Sequence, residues 1–190
     1  MSQQYAIETT VNEVNGYDVD VIKHAANTVV EEPSLGRSHL RVVNTWNGGA
    51  RNSSFVDGYY ALGEERVRPA GFMLHNDEPP LLAGSDSAPN PAEQLLHALA
   101  GCITVGITAH AAVRGVQIDS LSCEVEGDID VRGFLGTDES AARGFMAIRV
   151  RFQIDADRKD MDLIRELVTY SPIMNTLTNR TPVDVEFVAS

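Results

Sequence analysis

Cysteine is scarce: two residues in 190, Cys102 and Cys123, with no CxxC pair and no metal-ligand spacing to the five histidines. A disulfide framework and a zinc site are therefore not expected. No GxSxG elbow, phosphate-binding loop or useful GxGxxG run is present, so those hydrolase, nucleotidase and dinucleotide chemistries have no support, and no cofactor or metal is expected. Positive charge is also short, with 15 Lys+Arg against 27 Asp+Glu and a formal net charge of −12. Nucleic acid and anionic membrane surfaces would repel such a chain at long range, so neither is expected as a partner. No apolar run follows Met1, no repeat recurs and no segment is of low complexity. Free thiols without a secretory leader point to a reducing, cytoplasmic setting. The 43% hydrophobic content is enough to build the core of one domain, with or without an N-terminal appendage.

What the chain does contain is one long apolar stretch, Asn90 to Arg114. Asn90 suits an N-cap, Pro91 the first helical position, and Glu93 completes a capping-box pattern three residues after Asn90. Gly115 suits the C-terminal stop. About 24 residues at ~1.5 Å each give roughly 36 Å of helix, apolar nearly all round and so expected to be buried. A membrane span is disfavoured, because the apolar positions are mostly Ala and Gly and are interrupted by His97, Thr104, Thr108 and His110. Ala98, Cys102, Gly106 and Ala109 share one face, a small-residue stripe along which another element can approach closely. Cys102 sits within it, as an ordinary packed thiol or as a reactive one.

Before this helix, residues 1–16 read as an extended arm. Asp18 caps a helix to about Val30, and Ser34–Ser38 reads as a linker. His39–Trp46 and Ser53–Leu62 form a hairpin about Asn47-Gly48-Gly49, with Arg51 just beyond its tip. Val67–Leu74 gives a third strand, for which Pro69 favours an edge or a place among the first residues. The stretch 76–89, acidic and rich in Pro, Gly and Ser, is a loop. After the helix, Ile118–Val131 and Phe145–Ile154 alternate as half-buried antiparallel strands, joined by a long connection through Arg143. Asp157–Thr169 is an amphipathic helix, Ser171-Pro172 starts a shorter one, and Pro182–Val188 closes as a strand. Grouped strands and helices indicate an α+β fold.

For chemistry, Cys102 is a nucleophile only if something favours its thiolate. It lies about three turns from the helix start, where the dipole has faded, so a basic partner is needed. Arg51 is the best candidate, ahead of Arg41 and Arg66; its other reading is a solvated loop arginine. Cys123 fits the apolar side of its strand as a core thiol. Ser171 suits an N-cap hydroxyl. His97 and His110 are polar contacts of a buried helix. A hydrolase pairing either with Cys102 is disfavoured, since neither lies on the cysteine face.

The runs PNPAEQLLHALAGC, EGDIDVRGFLG, GFMAIRVRFQI and SPIMNTLTNRTPVDVEF, in that order, resemble the OsmC/Ohr superfamily of osmotically induced and organic-hydroperoxide-resistance proteins. The resemblance covers residues 39–190; residues 1–38 are similar only to a branch with an N-terminal helical extension. It implies an OsmC-like α+β fold, antiparallel sheets packed on two central helices in an intertwined homodimer, with sites at the subunit interface. It further implies a Cys102 that attacks hydroperoxide, oriented by Arg51 and a glutamate. In peroxidase members a second cysteine before a proline resolves the sulfenic acid; here Ser171 holds that place. The glutamate is displaced too, since Glu93 precedes Cys102 by nine residues where the family has ten, at Ala92. Nine residues on a straight helix are about 180° around and ~13.5 Å along. Contact with Cys102 would then require a broken helix start or the partner subunit, and Glu93 is otherwise a cap. Two functions remain open: a one-Cys peroxidase using an external thiol reductant on organic hydroperoxides, or a non-enzymatic dimer holding a small apolar or thiol-bearing ligand.

Overall fold

Asn15 and Gly16 both take positive φ, 53° and 76°. They form the turn between strands β1 (Glu13–Val14) and β2 (Tyr17–Asp18). Asn-Gly suits this turn because the strand twist demands left-handed backbone at two successive residues. The structure, a computed structural model, describes residues 11–188. The arm expected over 1–16 is thus a hairpin from Glu13 onward, and its first ten residues lie outside the described ones. Asp18 caps helix α1 (Val19–Glu31) as expected, its carboxylate accepting the amides of Asp20 and Val21 at 3.0 and 3.3 Å. Pro33–Gly36, overlapping the linker expected over 34–38, winds into a 3₁₀ turn, since Pro33 presets the φ of a first helical position.

The chain divides into two compact units at Gln94/Leu95. In the first unit, β3 (His39–Leu40) and β4 (Val43–Trp46) both pair antiparallel with β5 (Asn52–Ala61), and β6 (Glu64–Asn76) pairs along its other side. The predicted turn holds, with Gly48 and Gly49 at φ 91° and 61°. β6 is longer than expected and irregular. Val56 faces Phe72 but Gly58 faces Val67, so residues 68–71 bulge opposite Asp57. Pro69 is tolerated in this interruption, where no ladder bond is required of it. Beyond β6, Asp77 is buried and organises the loop: it accepts the amides and hydroxyls of Ser85 and Ser87, at 2.6 to 3.1 Å, and the amide of Glu78.

Helix α2 (Pro91–Val113) begins with the predicted capping box: Glu93 Oε2 accepts the Asn90 amide at 2.9 Å, and Asn90 Oδ1 the Glu93 amide at 2.8 Å. It ends at Gly115, φ 70°, where Gly115 N–H donates to Ala112 and Val116 N–H to Ala111. These are the paired bonds of a glycine-terminated helix. In the second unit Leu99, Ile103, Ile107 and Ala111 on one side of α2 form a core with Val116, Ile118, Ile164 and Leu167. Each large member contributes about 1.5–3 kcal/mol by leaving water. Strands β7 (Ile118–Ile129) and β8 (Phe145–Ala156) pair antiparallel, with Leu121, Val125, Ile148, Val150 and Phe152 against that core. The long connection contains a short helix, α3 (Val131–Leu135), capped by Asp130. By length and composition alone α2 could cross a membrane, but its buried stripe is the core of this unit.

Two further expectations change. The helix expected over 157–169 is α4 (Met161–Leu167) flanked by 3₁₀ turns, and α5 (Pro172–Thr178) follows. Pro182–Val188 is not a strand: it has no ladder partner among the described residues, and Val183, Val185 and Phe187 are 82%, 72% and 93% exposed. Alternation makes a strand only where a neighbour supplies the hydrogen bonds.

Candidate functional site

Cys102 is a free thiol, half-buried in mid-helix. One turn on, Gly106 faces the chain's own corner between α4 and α5: a Cβ built there lies 3.9 Å from backbone atoms of Leu167, Tyr170 and Ser171. Close approach along the small-residue stripe is therefore realised, at Gly106, by a segment of the same unit. The exposed side of α2 carries His97, Ala98, Gly101 and Val105, and shares only Ala98 with that stripe.

Ser171 is fully buried at this corner and caps α5, its Oγ accepting the Met174 amide at 3.2 Å. No second thiol stands there. Cys123, the other free cysteine, has its sulfur 3.9 Å from Thr104 Oγ1. Thr104 is two residues beyond Cys102, about 200° round the helix, so Cys123 packs on the opposite side. Cys102 thus has no resolving thiol within reach on its own face. Near the end of α2, His110 stacks on Tyr170 with ring centroids 4.0 Å apart. Arg114 bonds His110 Nδ1 at 3.2 Å and donates to the Tyr170 hydroxyl at 3.3 Å. Burial first, and then the Arg114 charge, lower the His110 pKa. His97 is exposed.

Arg51 and Glu93 belong to the first unit, Cys102 to the second. Arg51 is held by its backbone, its carbonyl accepting from Asn47 N at 2.9 Å and its amide donating to Gly48 O at 3.3 Å. Arg51 lines a cavity of about 570 Å³ with Asn47, Asn52, His75, Asn76 and Gln94. Glu93 is absent from that lining and occupied in the capping box. Because α2 runs unbroken from Pro91 to Val113, the broken start that would bring Glu93 to Cys102 within one chain does not occur.

Sequence reasoning missed the amides around Arg51. The available signal was Asn44, Asn52 and Asn76 at strand positions, which usually disfavour asparagine. A second cavity, about 770 Å³ and mostly apolar, is lined by residues that include Leu99, Ile103, Phe152 and Met174. Among the described residues no cluster of three or more His, Cys, Asp or Glu side chains could hold a metal.

The family model for OsmC-like protein matches residues 84–186, more than half of the chain. The chain belongs to the OsmC-like protein family. Solved structures share its fold. An OsmC-like protein from Mycoplasma pneumoniae is 17% identical with a TM-score of 0.57, over 74% of this chain and 88% of its own. An OsmC-like protein of unknown function from Vibrio cholerae is 12% identical with a TM-score of 0.55, over 74% and 94%. An organic hydroperoxide resistance protein OsmC from Legionella pneumophila is 18% identical with a TM-score of 0.50, over 72% and 88%. At such identities the likeness establishes the fold alone. A search of curated proteins finds no match. This OsmC-like chain carries a cysteine in α2 and a serine at the helix start after Tyr170.

Proposed function

We propose that this OsmC-like protein is a one-Cys thiol peroxidase that reduces organic hydroperoxides in oxidative-stress defence, as a cytoplasmic homodimer. The observation that carries this reading is the free, half-buried Cys102 with no second thiol on its side of the helix. The Cys102 thiolate attacks the terminal peroxy oxygen, forming an S–O bond as the O–O bond breaks. The alkoxide takes a proton and leaves as alcohol, and Cys102 becomes a sulfenic acid. An external thiol attacks that sulfur and releases water, and a second thiol breaks the mixed disulfide, returning the cysteine. Arg51 is assigned to stabilise the thiolate and the charge on the departing oxygen. Glu93 is assigned to the helix cap. Residues 1–38 are read as an extension on an OsmC-like domain of 39–190.

Three features support the homodimer. The exposed side of α2 carries Val105, 56% exposed, beside Ala98 and Gly101; β7 and β8 form a sheet of two strands; and residues 182–188 have no ladder partner among the described residues. The test is consumption of cumene hydroperoxide by purified protein with a dithiol reductant, with mass spectrometry of dimedone-trapped sulfenic acid at Cys102. Turnover lost in Cys102→Ser supports the reading. Turnover unchanged in that variant, or absent with every thiol reductant tried, overturns it.

The apolar cavity in the second unit favours one alternative, a non-enzymatic dimeric binding protein. Native mass spectrometry showing a co-purified apolar ligand, together with an inert Cys102, would support it over the peroxidase.

A further inference from the structure

The C-terminal end of α2 holds a cluster that the peroxidase reading does not use. His110 stacks on Tyr170, with ring centroids 4.0 Å apart and planes 28° apart. Arg114 closes the cluster. It meets His110 Nδ1 at 3.2 Å, donates to the His110 carbonyl at 3.1 Å and to the Tyr170 hydroxyl at 3.3 Å, and lies 5.5 Å from the Tyr170 ring centroid. A guanidinium donates at every nitrogen and accepts nothing. Nδ1 is therefore the acceptor and the ring is neutral, with its proton on Nε2. A proton added to Nδ1 sets donor against donor and cation against cation. Among the described residues, no carboxylate bonds to His110 or Arg114 to take up the added charge. On α4, Arg165 is paired with Asp162 and Glu166 bonds to neither group, and α5 bears no charged residue.

What the cluster holds is the corner between α4 and α5. Tyr170 belongs to the 3₁₀ turn Val168–Tyr170, whose backbone lies against Gly106 of α2. The start of α5 hangs from the same turn: Ser171 N–H donates to the Val168 carbonyl at 3.2 Å, and Met174 N–H and Asn175 N–H donate to Ser171 Oγ and Ser171 O at 3.2 and 3.1 Å. Val168, Met174 and Leu177 form one wall of the apolar cavity of about 770 Å³, and α2 and β8 supply most of the rest. No residue of α5 is fully buried, and a segment with so little buried surface opens more readily than the core.

We propose that His110, Arg114 and Tyr170 form an acid-released latch: neutral His110 holds the α4–α5 corner against α2, and its protonation frees that corner and opens the apolar cavity to uncharged apolar molecules. Burial and then the Arg114 charge lower the His110 pKa in the closed state. In the open state the ring regains its ordinary affinity for the proton, so by linkage each protonation favours opening. The latch does not depend on turnover at Cys102.

The test is residue-resolved hydrogen exchange of the full chain at about pH 7.5 and about pH 5.5, on either side of the ordinary histidine value, corrected for the intrinsic effect of pH on exchange. The amides of Ser171, Met174 and Asn175 should lose protection at the lower pH. They should do so by local opening, with less protection and a weaker urea dependence than Ile103 and Ile107 in the core. Binding of the uncharged fluorophore N-phenyl-1-naphthylamine should tighten over the same interval. His110→Gln cannot take the proton, and Arg114→Gln can turn its amide oxygen toward a protonated ring, so both should lose these pH effects. Circular dichroism identifies a misfolded variant, in which case the other decides. Corner protection unchanged by pH, corner amides that exchange only with the core, or acid sensitivity retained in a folded variant overturns the latch. A freed corner without tighter fluorophore binding overturns the opening of the cavity.

Discussion

Replacing Glu93 by glutamine and by alanine separates a capping carboxylate from a catalytic one. The reciprocal bonds with Asn90, at 2.9 and 2.8 Å, need only an acceptor at position 93, which glutamine supplies. Glu93→Gln then loses only the negative charge at the helix N-terminus, about 0.3–1 kcal/mol. Glu93→Ala loses the acceptor as well, and with a typical cap worth about 1 kcal/mol the total is about 1–2 kcal/mol. At about 2–4 °C per kcal/mol for a protein of this size, glutamine should lower Tm by about 1–4 °C and alanine by about 2–8 °C. Asn90→Ala should cost about 1 kcal/mol, and the double alanine variant less than the sum, because the two bonds belong to one motif. Urea midpoints at constant slope measure these differences. Hydroperoxide turnover, measured on the same samples, should stay within about two-fold of the parent, since a capping group lies outside the reaction. A Glu93→Gln variant with parental stability but turnover reduced by about 10²-fold or more, the scale of a lost acid–base group, would refute the capping assignment.

Other perturbations probe the rest of the frame. Hydrogen bonds from Ser85 and Ser87, led by their hydroxyls, hold the Asp77 carboxyl far below its ordinary 3.8. The folded state therefore gains from it above that pH and loses the gain as pH falls below it. Asp77→Asn should lower the urea midpoint at pH 7 and flatten this acid limb; an unchanged limb would exclude Asp77 as its source. His110 has the opposite protonation logic, because Arg114 donates to its Nδ1 only when the ring is neutral. With its pKa lowered from 6.5, the unfolded chain binds the extra proton first. Stability should be full above about pH 6.5 and decline below it until the folded-state pKa is passed. His110→Gln should remove that slope, and a midpoint that rises on acidification would refute the assignment. Ser171→Cys should weaken the α5 cap by about 1 kcal/mol. One equivalent of hydroperoxide should then yield an intramolecular disulfide to Cys102 by peptide mapping; a persistent sulfenic acid would mean the corner does not reach.

Local chemistry was legible where the residues that act are close in sequence. Asp18 before α1, the Asn90/Glu93 box, Gly115 and Ser171 each satisfy orphan backbone groups within a turn of themselves, and all four fell where expected. The bulge at residues 68–71 was not legible, because it depends on the register of β6 against β5; Pro69 signalled only that the ladder could not be regular. Asp77 was also missed, as its partners lie eight and ten residues away in a stretch whose composition says only loop. The same limit applied to the site. Cys102 and Arg51 were picked out as single residues, but the amide wall around Arg51 comes from a turn, two strands and a helix start, which no linear spacing encodes.

Residues 182–188 carry this reasoning to its end. Val183, Val185 and Phe187 alternate with Asp184 and Glu186 as a strand requires, yet they stand exposed and without a ladder. Seven residues of strand period cannot hold β structure alone, since every hydrogen bond of a strand belongs to its neighbour. Alternation records the surroundings in which the segment is buried, and within the described chain those surroundings are missing. The side of α2 bearing Ala98, Gly101 and Val105 is uncovered in the same way. In the proposed homodimer both would find cover in a second copy, so amides of residues 183–187 should resist hydrogen exchange in the assembled protein. If they exchanged as fast as free peptide at concentrations where sedimentation shows a dimer, the alternation would have some other cause, and the segment would lie outside the interface.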